Sequence, residues 1–133
     1  MSISGTLTAT PTGAPDRFLV TGVTGLFNGS SLEGQIPGGP SATVSPSGTW
    51  LFDNVLNSNG RFLDFYGLGF TLSGGTEANL YYFNGDYGFG YGEKPNFTFD
   101  ALTDFTVTSV PEPSSLMLLG SGALGLLTAF RRK

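Results

Sequence analysis

The 133-residue chain contains neither cysteine nor histidine. Disulfide frameworks, thiolate zinc sites, cysteine nucleophiles and imidazole bases are thereby excluded together. The missing cysteine does not fix the compartment, because oxidising environments permit disulfides without requiring them. Charge is scarce too, with Asp, Glu, Lys and Arg at 12% of residues. A disordered acidic chain would also be poor in aromatics, yet 12 Phe and 5 Tyr are present. Helical periodicity over about 11 residues is absent before the C-terminal segment. Glycine is plentiful instead, at 21 residues, and punctuates short apolar runs. The combination predicts a small all-β protein with many tight turns.

Charge is unevenly divided. Residues 1–110 hold nine acidic and three basic side chains, net −6, whereas residues 111–133 hold one Glu and three basic residues, net +2. An acidic body repels phosphate backbones, so nucleic acid is not an expected partner.

Alternating runs between turn signals predict strands over residues 3–9, 17–25, 62–72, 78–84, 87–92 and 104–110. "TWLFDNVLN", from Thr49, predicts local pairing. Residues 28–48 are so rich in Gly, Pro and Ser that they read as a surface excursion with one short strand near 32–36. Gly74-Gly75 and the "NGDYG" run at 84–88 are expected hairpin turns. The expected architecture is one antiparallel, jelly-roll-like sandwich over residues 1–109, favoured over a closed barrel, followed by a C-terminal transmembrane helix.

The last 24 residues read "VPEPSSLMLLGSGALGLLTAFRRK". Residues 114–130 form an uncharged run of 17 positions, at the short end of the roughly 17–25 that span a bilayer. Its apolar centre is Leu116-Met117-Leu118-Leu119-Gly120-Ser121-Gly122-Ala123-Leu124-Gly125-Leu126-Leu127-Thr128-Ala129-Phe130. Pro111 and Pro113 are compatible with a helix start, and Ser114 can cap it. Arg131, Arg132 and Lys133 can snorkel to the interface and lengthen the span. The run lacks a polar face, and so small a body has little core in which to bury it. Basic residues favour the cytoplasmic side, placing residues 1–110 outside. "GSGALG" at 120–125 matches a dinucleotide fingerprint by letter, but no strand precedes it.

The order Pro111-Glu112-Pro113, hydrophobic run, then Arg131-Arg132-Lys133, flush with the C-terminus, resembles a PEP-CTERM sorting signal. Such signals occur on secreted proteins of exopolysaccharide-producing Gram-negative bacteria. The resemblance implies a partner, exosortase, a multi-pass membrane enzyme with its own catalytic cysteine, which cleaves near the triplet. Residues 111–113 are then substrate. The two prolines hold the backbone extended, a shape that a protease-like cleft accepts. The family pattern also includes a signal peptide, and "MSISGTLTATPTG" has no basic or apolar leader. The expectation is a true start further upstream, since "SISGTLTAT" already reads as strand; the alternative is insertion from the cytosol as a tail-anchored protein.

Catalytic chemistry finds little footing. The body carboxylates are Asp16, Glu33, Asp53, Asp64, Glu77, Asp86, Glu93, Asp100 and Asp104. A glycosidase needs two of them facing across a sugar, and none lies in a recognisable motif. Calcium ligation would suit loop acids, but the D-x-D-x-D-G series is missing. No cofactor or metal is expected, and the chain is read as a non-enzyme. Tyr81, Tyr82, Phe83, Tyr87, Phe89, Tyr91, Phe97 and Phe99 form an aromatic block. Its members either pack a core and pair across strands, or, at Tyr81, Tyr87 and Tyr91, stack on sugar rings. The resulting expectation is an exported envelope or matrix protein processed by exosortase; the alternative is an exopolysaccharide-binding module with the same tail.

Overall fold

The computed structural model describes residues 2–102 and Thr108. These residues form ten strands and, among them, no helix. They are β1 Ile3–Pro11, β2 Arg17–Phe27, β3 Ser30–Gln35, β4 Thr43–Val44, β5 Leu51–Phe52, β6 Val55–Asn57, β7 Leu68–Leu72, β8 Glu77–Phe83, β9 Asp86–Glu93 and β10 Asn96–Leu102. All pairings are antiparallel. The transmembrane helix, the sorting triplet, the basic tail and most of the strand expected at 104–110 lie outside the described residues.

One continuous path, β1-β2-β3-β7-β8-β9-β10, carries most of the strands, with β6 on the start of β2 and a separate β4-β5 pair. The all-β antiparallel expectation holds, but the strand order is a meander with one excursion, not a jelly-roll order. Among the described residues the path does not close into a barrel, and β1 and β10 are its edges. Two layers arise because the sheet turns on itself where β2 meets β3, a junction of only two residue pairs, Leu26↔Ser31 and Phe27↔Ser30. Asn28 and Gly29 make this turn with φ of 46° and 85°. Asn-Gly accepts left-handed backbone at both positions, as a two-residue hairpin requires.

The layers meet over Val20, Leu63, Leu68, Phe70, Leu72, Ala78, Leu80 and Phe89. Phe89 is fully buried, stacked on Phe27 at 4.6 Å between ring centroids and tilted against Phe70 at 5.6 Å. Burying such a ring contributes roughly 1.5–3 kcal/mol. A register shift opposite Thr8 and Ala9 leaves Thr21 without a partner. The extra residue reverses the alternation, so both Val20 and Val23 reach the core.

The opposite face of β7, β8 and β9 is covered by residues 36–54. Phe52 lies over Gly69, where an added Cβ would come within 2.7 Å of its ring, and Trp50 lies over Gly90 in the same way. Glycine here makes room for a ring. The Trp50 indole N–H donates to the Gly92 carbonyl at 3.0 Å. Buried Asn54, with φ of 56°, ties the cover down. Its amide donates to the Ile36 carbonyl and accepts from the Gly69 N–H, both at 2.9 Å, while its own carbonyl accepts from the Val20 N–H at 2.8 Å.

Candidate functional site

A groove of about 870 Å³ opens at one end of the sheet, where the starts and ends of several strands converge. Register pairs Arg17 with Asn57, and the Ser58 N–H donates to the Asp16 carbonyl at 2.9 Å. This sets residues 57–61 beside the entrance to β2. The Tyr82 N–H donates to the Asp64 carbonyl at 2.7 Å and draws residues 63–65 along β8. The β8–β9 turn at Asn84-Gly85 closes the far side. Asp16, Arg17, Asn57, Asn59, Arg61, Asp64, Phe65, Tyr82, Phe83 and Asn84 all line the groove.

Four charged side chains line it, Asp16, Arg17, Arg61 and Asp64, with buried Asp53 close by. Arg17 Nη2 stands 4.0 Å from Asp53 Oδ2, the one ion pair among the described residues. Asp53 is only 3% exposed. Burial pushes its carboxyl up to about 6 despite the Val55 N–H, and neighbouring Asp64 adds to the rise. Asp64 Oδ1 accepts from the N–H groups of Tyr66 and Gly67 at 2.9 and 3.1 Å. Arg61 is different. Its guanidinium sits 4.7 Å above the Tyr82 ring, and no carboxylate among the described residues lies within 4.0 Å of it.

On the rim, Phe65 and Phe83 are 57% and 59% exposed with centroids 5.4 Å apart. Phe99, on the same side of the sheet, is 55% exposed and edge-on to both Trp50 and Tyr81. Large exposed rings grouped together mark a contact surface rather than a core that failed to close.

The three tyrosines singled out for sugar stacking do not share a face. Tyr87 and Tyr91 pack inward against the core, while Tyr81 lies on the opposite side of the sheet with Phe99. Among the carboxylates, the structure brings Asp53 and Asp64 together. Burial and backbone hydrogen bonds occupy this pair, and Asp53 does not line the groove. Glu77 is engaged elsewhere, accepting from the Ser47 N–H at 2.8 Å and from its hydroxyl. Sequence reasoning missed Arg17, Arg61, Phe65 and the asparagines. The available signal was the scarcity of cations in the body: two of the three, Arg17 and Arg61, line this one groove.

The C-terminal segment supplies the firmest assignment. The family model of the PEP-CTERM protein-sorting motif matches residues 109–133. No curated protein and no solved structure matches the chain. The chain therefore carries a PEP-CTERM sorting signal, which supports an exported cell-envelope protein that exosortase recognises and sorts.

Proposed function

We propose that the chain is a non-enzymatic envelope or extracellular-matrix protein, held in the inner membrane by a helix over residues 114–130 with its body outside. Exosortase then cleaves near Pro111-Glu112-Pro113 and passes the body to the surface or beyond. The observation that carries this reading is the sorting motif at 109–133. A positive cluster at the end of an uncharged run favours a cytoplasmic tail. The non-enzymatic part is supported by the burial of Asp53 outside the groove and by the two backbone N–H groups that engage Asp64 Oδ1.

A second reading, polysaccharide binding by the body, is favoured by the groove. Exposed rings beside amides and guanidinium groups are the usual means of holding a sugar: rings against its C–H faces, amides on its hydroxyls.

Mass spectrometry of the protein recovered from the native cell surface tests the first reading. The expected C-terminus falls within residues 111–115. An intact Lys133 on surface-exposed protein would overturn exosortase cleavage.

A further inference from the structure

We infer that the groove selects saccharides bearing a carboxylate, with Arg61 as the residue that recognises the acid; this rests on the polysaccharide-binding reading above. Residues 1–110 are net negative, and two of their three cations line one groove together with two of their carboxylates, Asp16 and Asp64. Asp16 accepts from the Ser58 hydroxyl at 3.3 Å, and its carboxylate is not within 4.0 Å of either guanidinium.

The two arginines are not equivalent. Arg17 is turned towards Asp53 at 4.0 Å. The nearby Asp64 carboxylate is occupied on one oxygen by two backbone N–H groups. Arg61 has no carboxylate partner among the described residues, and Tyr82 supports its flat face at 4.7 Å. Stacking restricts the guanidinium while leaving its edge of N–H donors free, and that edge matches a carboxylate in two parallel hydrogen bonds. Phe65 and Phe83, both more than half exposed, stand on the same groove and offer ring faces to the pyranose. Asn57 and Asn84 add amides suited to its hydroxyls. A neutral sugar would use the rings and amides only. A uronic acid unit would use everything the groove presents.

Calorimetric titration of the full-length protein in detergent tests this with three probes: a galacturonic acid oligosaccharide, a neutral glucose oligosaccharide of equal length, and sodium acetate. The expected result is binding of the acidic oligosaccharide at least about tenfold tighter than the neutral one. Arg61→Gln should erase that preference while leaving the melting temperature unchanged, since the side chain is exposed. Phe83→Ala should weaken both oligosaccharides alike. Equal affinity for the two, unaltered in Arg61→Gln, would overturn the acid selectivity and leave sugar binding standing. Acetate binding as tightly as the acidic oligosaccharide would also overturn it, by showing a bare anion site. Failure of both oligosaccharides to bind would sink this inference together with the reading beneath it.

Discussion

Asn54 makes more structural connections than any apolar residue of the cover could. Its side chain bonds both Ile36 and Gly69, and its backbone bonds Val20 and Gly67. Asn54→Ala removes two buried side-chain bonds and places a Cβ residue without a local polar contact at φ 56°. Each abandoned buried group costs about 1–3 kcal/mol, so a loss of roughly 2–4 kcal/mol is expected in urea unfolding. Asn54→Gly should lose about 1 kcal/mol less, because the backbone strain disappears. Equal losses would mean that φ carries no penalty here. Asp53, its neighbour, gives a pH signature. Its carboxyl has an ordinary value of 3.8 and stands at about 6 in the fold. Between those values the folded chain holds a proton that the unfolded chain has released. Stability from this group is therefore greatest below pH 4 and is lost as pH rises through 6. Glu77 works in the opposite sense. Desolvation raises its pKa, but hydrogen bonds from Ser45 and Ser47 outweigh it and the net shift is downward. The clean comparison is thus wild type against Asp53→Asn in thermal melts from pH 4 to 7. The variant should show a shallower fall with rising pH, and parallel curves would refute the assignment.

At the scale of elements, the aromatic-glycine alternation of β9 is the most informative feature. Tyr87, Phe89 and Tyr91 go inward, and the intervening glycines leave space for Tyr81 and Trp50 on the other face. Gly90→Ala puts a methyl group into the Trp50 ring. The ring must move and surrender its bond to Gly92, costing about 1–3 kcal/mol. Because the chain has a single Trp, its emission reads that position alone, and a red shift with a lowered melting temperature is expected. Unchanged emission would show that the cover tolerates the methyl. Strong alternation made β1, β2, β8 and β9 legible in the sequence. The short strand expected near 32–36 is β3, Ser30–Gln35; it begins two residues early because Asn28-Gly29 is itself a hairpin turn. The apolar content of residues 62–67 predicts strand, whereas β7 begins at Leu68. There the Asp64 carboxylate binds the Tyr66 and Gly67 N–H groups and bends the backbone before β7 begins. β10 was overlooked because Phe97 and Phe99 alternate with polar Thr98 and Asp100 on a strand whose outer face stays exposed. The groove could not be read at all. It is assembled from three separated segments, 15–17, 57–65 and 82–85, brought together by the pairing of β2 with β6 and the hydrogen bonds from Ser58 to Asp16 and from Tyr82 to Asp64.

For the whole molecule, the sorting signal and the groove occupy different parts of the chain. The segment at 109–133 carries the sorting signal, and the groove lies at the end of a sheet whose last described strand is β10. That position has a mechanical side. Among the described residues β10 is an edge strand, paired with β9 alone, with Phe97 and Phe99 leaning on Trp50. Tension transmitted from the C-terminal direction reaches the pairs Leu102↔Tyr87 and Ala101↔Gly88 first and Asn96↔Glu93 last. Force entering at Leu102 would thus open the described rungs like a zip, one at a time, before the packed layers behind them bore any load.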